Sequence, residues 1–479
     1  MKKLTLLLAF ITLLLSLPIV SSAQTLRIPE TTRRLNVGER ASLSVVGAAE
    51  DETVSWSSSA PSIVAVNRRG MIMGRKAGRA AITATVGTVR ITRTITVRAT
   101  SDSPETVRPP ASVNPTTLLE AYAPVFGYVG AAAYHHHWNQ PSQLQGETLG
   151  FIKKHYNSLT AENEMKPDFL LNSSTIAASE ARNRGYVIPA GWNNNTPVPT
   201  INAERINNYL KIAQDNGLKI RFHTLIWYSQ TPSWFFRENY NNNGAFVSQR
   251  EMDRRLEFYV KSVINIVHDG LYSDVVYAWD VVNEHITNKG KGGWGQIYGD
   301  DANNIFVKNA FRFAHEQLAA LDKRGNAGLF YNDFNTYENA AAIVSLINYI
   351  NSGAPGGVKY CDGVGMQMHL DAAYPAIATI GRTIDTFTNA GFEIQITELD
   401  VTLNFHSWAP ARTVQQQEQY WGDLFTMLVQ KQKGGANITS VTFWGLGDSV
   451  SWRSRHTPLL FTDINRPKPA FDAVMNAAR

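Results

Sequence analysis

The sequence of 479 residues has almost no cysteine and comparatively little charge. Its only cysteine, Cys361, excludes any intramolecular disulfide, so stability must come from buried apolar surface, which a chain of this length can supply. Charged residues make up 18% and hydrophobic residues 44% of the chain, as expected for folded domains. After residue 23 no apolar run is long enough to span a bilayer, so we predict no transmembrane segment in the mature protein.

The first 23 residues have the pattern of a secretory signal. Lys2 and Lys3 precede an apolar run from Leu4 to Val20, and three small residues follow it. We predict cleavage near Gln24 and export to the medium, the cell surface or the periplasm. A membrane anchor is the less favoured alternative, because the run is short and no cysteine follows it for lipidation.

Residues 24–100 contain short alternating runs separated by glycines, at the spacing of an all-β sandwich. The run WSSSAPSIVAVNRRGMIMGRKAGRAAITA, from Trp56, resembles bacterial immunoglobulin-like domains of group 2. Trp56 is interpreted as a core residue rather than a platform for a sugar. The region carries a net charge of +7, so its arginines either attract an acidic polysaccharide or cell surface, or form a solvated basic face. Residues 101–112, rich in Ser, Thr and Pro, predict an extended linker.

From residue 113 to residue 479, strand patterns alternate with amphipathic helical patterns. Eight such units in about 365 residues predict an α/β fold, the TIM (β/α)8 barrel. The predicted strands are Val125–Val129, Ser158–Ala161, Lys219–His223, Val275–Val282, Gly328–Asn332, Gly363–Gln367, Glu393–Thr397 and Ser440–Trp444.

Two of these strands end in a glutamate. The run VVYAWDVVNE ends in Asn283 and Glu284, and FEIQITELD places Glu398 at the end of a later strand. Each carboxylate alone is well explained as a cap for the following helix. Both together favour chemistry, because paired carboxylates at the mouth of a barrel are what glycoside hydrolysis requires.

Polar and aromatic side chains also follow nearly all of the remaining predicted strands. Aromatic faces suit the apolar faces of a pyranose, and amides and imidazoles suit its hydroxyls, so the strand ends predict a sugar-binding cleft. Packing alone does not explain polar groups at seven strand ends, because each must be satisfied at some cost. These residues are Glu162, Asn163, Lys166, His223, Trp227, Gln230, Tyr331, Asn332, Gln367, His369, Asp400, Trp444, Trp452 and Arg453.

The motifs TAENEMKPD, HTLIW, WDVVNE, YNDFN, MQMH, ITELD, VTFWG and SWR make residues 113–479 similar to glycoside hydrolase family 10, the retaining endo-β-1,4-xylanases. The resemblance implies xylan and xylo-oligosaccharides as substrates, Glu284 as the acid/base and Glu398 as the nucleophile. It implies no metal or organic cofactor. The adjacent histidines at 135–137 do not converge on one ion, so we predict no metal site there.

The resemblance also implies a set of substrate contacts. Residues of the second and third strand ends would line the glycone side of the cleavage point, and Asn283 would bond the 2-hydroxyl of the sugar. Asp400 and Arg453 would support the site, with Asp400 acting through His369 on Glu398. The implied substrate-binding residues are Glu162, Asn163, Lys166, His223, Trp227, Asn283, Tyr331, Gln367, His369, Trp444 and Trp452.

Two residues depart from the pattern of that family. Tyr228 stands where the family usually has His, and His285 stands where it commonly has Ala. Neither change removes a catalytic group. An imidazole beside the acid would act on its pKa or on the leaving-group side, so the pH optimum and leaving-group preference stay open.

Several alternatives stay open at this level. A related retaining β-1,4-glucanase would use the same residues, since glucan differs from xylan mainly in its C5 hydroxymethyl group. A non-catalytic carbohydrate-binding protein would be expected to lack one glutamate, and an adhesin would make residues 24–100 the main actor. We predict a monomer that binds no nucleic acid, with the N-terminal domain contacting polysaccharide or the cell surface. Retention predicts carboxyl groups about 5–5.5 Å apart.

Overall fold

The computed structural model describes residues 26–29, 34–36, 39–48, 52–98, 114–135, 140–268, 270, 272, 274–321 and 323–478. The predicted signal, residues 1–23, and the predicted linker, residues 101–112, lie outside these ranges. Contacts along the chain divide it into two compact units, residues 1–101 and residues 102–479.

The N-terminal unit is built from two small sheets, as the alternating pattern predicts. One sheet has the strand order Arg34–Asn36, Val89–Arg98, Gly78–Val86 and Val54–Ser58. The other has the order Arg40–Ser42, Met71–Gly74 and Val64–Val66. Alternate residues of the long strands are buried, so each sheet gives one apolar face to a shared core.

Trp56 packs against this core, partly buried, which agrees with its interpretation as a core residue. Gly70 supports the same packing. Its φ of +74° is in the left-handed region, and a Cβ there would lie 2.4 Å from the carbonyl oxygen of Leu43 and 2.9 Å from the Trp56 ring. Only glycine fits this turn, which connects the paired strands Val64–Val66 and Met71–Gly74 of the second sheet.

The C-terminal unit is a closed barrel of eight parallel strands. Each strand pairs with the next one in chain order, including the third with the fourth, and the eighth pairs with the first to close the barrel. The strands, first to eighth, are Tyr128–Ala133, Ser158–Ala161, Lys219–Phe222, Val276–Asn283, Gly328–Asp333, Gly363–Met366, Glu393–Thr402 and Ile438–Phe443. Two short strands, Ile226–Trp227 and His369–Asp371, extend the pairing at the carboxyl ends of the fourth and seventh strands.

The predicted start of the first strand at Val125 is wrong. The stretch Leu118–Phe126 is a helix, and the strand begins at Tyr128. Thr117 starts this helix with a capping box, because its hydroxyl accepts from the Glu120 amide while the Glu120 side chain accepts from the Thr117 amide. The local capping therefore decides the structure of an apolar run that its composition leaves ambiguous.

Helices and short elements connect the barrel strands. The helices are Leu118–Phe126, Gly146–His155, Pro167–Leu170, Ala178–Asn183, Ala203–Asp215, Gln249–His268, Gly292–Tyr298, Ile305–Ala320, Thr336–Asn351, Ile377–Asn389, Val414–Lys433 and Pro469–Ala477. Short 3₁₀ turns are Ser233–Phe236, Glu238–Tyr240, Pro355–Gly357, Asp448–Val450 and Ser454–His456. Small strand pairs are Leu171–Ala177 with Pro197–Ile201, and Phe461–Asp463 with Arg466–Pro467.

The barrel interior contains a buried ion pair below the strand ends. Arg221 donates from both terminal nitrogens to the Asp280 carboxylate, and its Nε donates to Gln395 Oε1 at 2.8 Å. All three side chains are almost completely buried. The pair and its hydrogen bonds satisfy one another, as buried charges require, and they hold the third, fourth and seventh strands together.

Cys361 is a free, buried thiol. Within the ranges that the structure describes, no helix combines the length and the apolar character needed to cross a membrane.

Candidate active site

A cavity of about 570 Å³ opens at the carboxyl ends of the barrel strands, within the usual size of a ligand site. It brings together residues that are far apart in the sequence. Its lining is Glu162, Asn163, Lys166, His223, Trp227, Gln230, Asn283, Glu284, Phe334, Asn335, Gln367, His369, Glu398, Phe405, His406, Trp444, Trp452 and Arg453.

Glu284 follows the last residue of the fourth strand and has a φ of +58°, which is uncommon for a residue with a side chain. Its carboxylate is surrounded by neutral donors. Trp227 Nε1 donates to Oε2 at 2.9 Å, and Gln367 Nε2 donates to Oε1 at 3.0 Å. Burial, aided by the negative charge of Glu398, raises the pKa of Glu284 even though these two hydrogen bonds oppose the shift.

Glu398 lies within the long seventh strand and faces cationic partners. Burial alone would raise the pKa of Glu398. His223, His369 and Lys166 outweigh that effect and lower its pKa to about 2. His369 Nε2 lies 3.2 Å from Oε2, and Asn332 Nδ2 donates to Oε1 at 2.8 Å. Glu398 is therefore ionised throughout the ordinary pH range.

His369 is held by the buried Asp400. Its Nδ1 lies 2.9 Å from Asp400 Oδ2, and Asp400 also accepts from Trp452 Nε1 at 2.9 Å and from Arg453 at 3.3 Å. Burial opposes the charge on His369, but the two carboxylates raise its pKa to about 9. The imidazolium thus carries its charge next to Glu398 at neutral pH.

Asn332 and Gln367 each contact both glutamates. The carbonyl oxygen of Asn332 accepts from the Glu284 amide at 2.8 Å, and its side chain donates to Glu398. The side chain of Gln367 donates to Glu284, and its carbonyl oxygen accepts from the Glu398 amide at 3.0 Å. We call this pair the amide brace. The sequence places Asn332 among the polar strand ends of the cleft and predicts no specific role for it.

The second and third strand ends form one wall of the cavity. Lys166 Nζ donates to Asn163 Oδ1 at 3.0 Å and lies 5.0 Å from the centre of the Trp227 ring. Gln230 Nε2 donates to the same Asn163 oxygen at 3.3 Å. Burial lowers the pKa of Lys166, although four nearby glutamates oppose the shift. His223 lies 2.9 Å from Asp280, which connects this wall to the ion pair of the barrel interior.

Tyr331 is a correction to the predicted substrate contacts. Its ring is completely buried and does not line the cavity. Side chains alternate along a strand, and Asn332 of the same strand points at Glu398, so Tyr331 and Asp333 point to the other face. There the Tyr331 hydroxyl donates to Asp333 and accepts from the Ile286 amide at 2.7 Å, so it supports the segment that follows Glu284.

His285 points away from the cavity. Its Nε2 lies 3.0 Å from the carbonyl oxygen of Asp301, and its ring packs 5.3 Å from Phe306. Burial lowers the pKa of His285, so it is neutral at neutral pH. Tyr228 also lies outside the cavity lining, with the Lys291 ammonium 5.7 Å from its ring centre. The predicted effect of an imidazole charge on the acid has no basis in this geometry.

Sequence reasoning missed four lining residues, all in loops just after strands. Phe334 and Asn335 follow the fifth strand, and Phe405 and His406 follow the seventh. The available signal was that Phe334 and Asn335 are the last two residues of the YNDFN motif, and that Phe405 and His406 follow soon after ITELD. Among the described residues, no group of three or more His, Cys, Asp or Glu side chains is arranged to hold a metal ion.

The arrangement can perform acid-assisted displacement at an acetal. Burial raises the pKa of one carboxyl group, whose donors are neutral, and cationic neighbours lower the pKa of the other. Groups whose pKa values are moved in opposite directions within one cavity are the pattern of a proton donor paired with a nucleophile or base.

Comparisons with known proteins agree with this geometry. The model of Glycosyl hydrolase family 10 matches residues 117–477, and that of the bacterial Ig-like domain (group 2) matches residues 22–97. An endo-1,4-beta-xylanase A of Butyrivibrio fibrisolvens is 40% identical over 366 residues, which cover 75% of this chain and 84% of that protein. A bifunctional endo-1,4-beta-xylanase of Ruminococcus flavefaciens is 38% identical over 338 residues, covering 69% of this chain and 31% of that protein.

Solved structures give the same relationship. A Clostridium thermocellum endo-1,4-beta-D-xylanase complexed with xylohexaose superposes with a TM-score of 0.62 at 29% identity, over 86% of this chain and 74% of that one. A xylanase from termite gut that contains a bacterial Ig-like domain superposes with a TM-score of 0.59 over 93% of this chain and 98% of that one. At 22% identity, the second comparison supports the fold only.

Proposed function

The chain belongs to glycoside hydrolase family 10, and from this premise we propose that it is a secreted endo-1,4-β-xylanase that acts with retention of configuration. The observation that carries the proposal is that the pKa values of Glu284 and Glu398 are moved in opposite directions within one cavity. The relatives named endo-1,4-beta-xylanase support xylan as the substrate. Together these support hydrolysis of internal β-1,4-xylosidic bonds.

In the first step, Glu398 attacks the anomeric carbon and Glu284 gives its proton to the leaving oxygen. The ionised state of Glu398 supplies the nucleophile, and the raised pKa of Glu284 supplies the acid. Electrons pass from the Glu398 carboxylate into a covalent glycosyl ester as the glycosidic bond breaks. The proposal requires the two carboxyl groups to lie about 5–5.5 Å apart.

In the second step, water hydrolyses the ester. Glu398 has lost its negative charge in the ester, so the electrostatic contribution that raises the pKa of Glu284 disappears. Glu284, now ionised, takes a proton from the water as it attacks the anomeric carbon. Two inversions at this carbon give net retention.

Asn283 is suited to orient the sugar. Its Oδ1 accepts from Asn332 at 2.9 Å and from Gln367 at 3.1 Å, which leaves its Nδ2 to donate to a sugar hydroxyl. The resemblance to the family assigns that hydroxyl as the 2-hydroxyl. A hydrogen bond there strengthens as the ring approaches the oxocarbenium-like transition state.

We further propose domain boundaries at residues 1–23, 24–100, 101–112 and 113–479, for the signal, the immunoglobulin-like domain, the linker and the barrel. The division of the chain near residue 101 supports the linker position. Export is supported by the signal-like pattern of the first 23 residues. N-terminal sequencing of the exported protein, with a start near Gln24 expected, tests both the signal and its boundary.

The basic N-terminal domain is proposed to contact acidic xylan or the cell surface. Binding of residues 24–100 and of residues 24–479 to glucuronoxylan and to isolated cell walls tests this role. Salt-sensitive binding by both forms is expected. If neither form binds, the basic residues are a solvated surface without a binding role.

The central experiment is product analysis with residues 24–479 on glucuronoarabinoxylan, and in parallel on mixed-linkage and carboxymethyl glucan. Glu398→Ala serves as the inactive reference. Short xylo-oligosaccharides that initially carry the β-configuration, measured by NMR, are expected from xylan alone. Release from glucan alone would overturn the substrate, α-configured products would overturn retention, and products from neither would restore the carbohydrate-binding alternative.

A further inference from the structure

The four-stranded sheet of the N-terminal unit turns one face to the shared core and the other face outward. Buried residues alternate with less buried ones along its two long strands, Gly78–Val86 and Val89–Arg98, so the register shows which side chains share the outward face. Four arginines take outward positions, and we call this surface the arginine face. They are Arg34, Arg79, Arg90 and Arg98, and all four are exposed.

Three of the four arginines lie at one corner of the sheet. Arg34 and Arg79 pair with Thr96 from its two sides, on neighbouring strands. Neighbouring strands lie about 4.8 Å apart, so the two arginine backbones are separated by about 10 Å. Arg98 stands two residues beyond Thr96, on the middle strand of the three. The three guanidinium groups are therefore close enough to converge on one anionic group over Thr96.

No acidic side chain balances the arginine face. Within the described part of the chain, none of its four arginines forms an ion pair, and no outward position of the four strands carries a carboxylate. Like charges on neighbouring strands repel, so an anion bound between them removes an unfavourable interaction. Arg93 provides the contrast, because it lies on the inward side of the same sheet and donates to the carbonyl oxygens of Ile28 and Pro29. Arg93 thus has a structural role that the outward arginines lack.

Hydroxyl groups fill the surface between the arginines. The other outward positions whose side chains are described carry serine or threonine, except for Ala81. Thr83 Oγ1 lies 2.9 Å from Thr92 Oγ1, so two of these hydroxyls stand side by side on neighbouring strands. A hydroxyl both donates and accepts, as the hydroxyls of a sugar do, whereas none of these described positions offers an aromatic ring to stack on an uncharged pyranose. Because the guanidinium fork matches a carboxylate, the combined chemistry fits a sugar that carries one.

We propose that the arginine face binds the uronic acid side groups of glucuronoxylan, with Arg34, Arg79 and Arg98 around one carboxylate. The inference rests on the proposed function, which supplies xylan as the polysaccharide, and charge complementarity identifies its acidic decoration as the group that is bound. Arg90 lies six residues from Thr96 on the same strand, about 20 Å away. It is placed to contact a second carboxylate of the same polysaccharide chain. The domain thus selects acidic xylan without taking part in the chemistry of the barrel.

Matched charge removal tests the proposal. The measured quantity is Kd for glucuronoxylan, and for the same polysaccharide with its carboxyl groups reduced to alcohols, in residues 24–479 carrying Glu398→Ala so that the ligand stays intact. We expect Arg34→Gln/Arg79→Gln to raise Kd for glucuronoxylan about five- to tenfold and to leave Kd for the reduced polysaccharide unchanged. Arg68→Gln/Arg69→Gln removes the same charge from an exposed turn of the other sheet and should change neither value.

A second pair of substitutions separates the guanidinium fork from its charge. Arg34→Lys/Arg79→Lys keeps both charges but loses the fork, so we expect an intermediate Kd, with the Tm of the parent protein retained in calorimetry. Equal weakening by the two glutamine pairs, equal Kd of the parent for native and reduced polysaccharide, or parental affinity in the lysine pair would overturn the proposal. Binding to phosphatidylglycerol vesicles as tight as to glucuronoxylan would also overturn it, in favour of an anionic lipid surface. If residues 24–479 with Glu398 intact bind glucuronoxylan as expected but release no products from it, the proposed function alone is overturned.

Discussion

The ends of the fourth and seventh barrel strands carry the same side chain with its pKa moved in opposite directions. At the fourth, Glu284 is surrounded by an indole and an amide, and the aspartate behind it, Asp333, is held by a threonine and a tyrosine. At the seventh, Glu398 faces His369, whose supporting Asp400 also pairs with Arg453. Both ends are well supplied with hydrogen bonds. What differs is the formal charge of the donors, and that difference separates the proposed acid from the proposed nucleophile.

Removing either glutamate should have the largest effect on activity, and the two variants should differ from each other. On xylan, Glu398→Ala should lower kcat about 10⁴-fold or more, and Glu284→Ala about 10²- to 10⁴-fold. On dinitrophenyl xylobioside, whose leaving group needs no proton, Glu284→Ala should still release a burst of dinitrophenol before a slow steady state. Glu398→Ala should give no burst in stopped-flow measurements. Absence of a burst in Glu284→Ala would contradict its assignment as the acid.

Removing the positive charge beside Glu398 should reduce the difference between the pKa values of the two glutamates. His369→Asn removes the imidazolium that stabilises ionised Glu398, so the pKa of Glu398 should rise. Activity requires the ionised form, so the acidic limb of kcat/KM against pH should move to higher pH, with kcat/KM about 10²-fold lower at the optimum. His315→Asn, on a helix outside the cavity, is the matched control. An unmoved acidic limb would show that His369 acts only through packing.

Trp227→Phe should increase the difference between the pKa values of the two glutamates. The indole N–H stabilises the ionised form of Glu284, so its removal should raise the pKa of Glu284 further. Because Glu284 acts when protonated, the alkaline limb of kcat/KM should move to higher pH, with kcat/KM about five- to tenfold lower. Trp192→Phe removes an indole contact with Glu251 remote from the cavity and should leave the profile unchanged. Movement of the alkaline limb to lower pH would be inconsistent with this account.

Protonation of the buried Asp333, behind Glu284, should make the stability of the folded protein depend on pH. Burial raises its folded pKa to about 7, although hydrogen bonds from Thr287 and Tyr331 oppose the shift. The folded protein therefore holds a proton there that the unfolded chain releases near pH 4, so this contribution to stability is lost as the pH rises from about 4 to about 7. Asp333→Asn should flatten the dependence of Tm on pH in this range by roughly 2–4 °C. Asp385→Asn, at an exposed ion pair, should keep the wild-type slope.

The sequence predicted the barrel and much of the cavity lining for one physical reason. Parallel strands of a closed barrel all end at one rim, so residues that terminate apolar runs meet in space. Glu284 and Gln367 could therefore be placed together although 82 intervening positions separate them. The same reasoning failed for Tyr331, because a list of polar strand ends does not say which face each residue takes, and a step of one residue reverses the face.

Loop residues were harder to predict, because loops have no periodicity that assigns a direction to a side chain. Phe405 and His406 lie three and four residues beyond the last residue of the seventh strand, where tertiary contacts such as those of the Asp371 carboxylate and of Asn404 direct the loop. The donors that set the two glutamate pKa values come from strands distant in sequence. Their charge, and hence the choice of acid and nucleophile, required the three-dimensional contacts or the resemblance to a family.

The amide brace has a consequence for how such an enzyme can change over evolutionary time. Asn332 and Gln367 belong to adjacent strand ends, where the fifth and sixth strands are paired in register from Phe330 with Gly363 to Asp333 with Met366. The distance between the two glutamates is therefore set by the register of paired strands, which is a rigid feature of a protein. It does not depend on the conformation of the loops. Mutations in the loops can lengthen, shorten or redecorate the cleft while the stereochemical outcome is inherited unchanged.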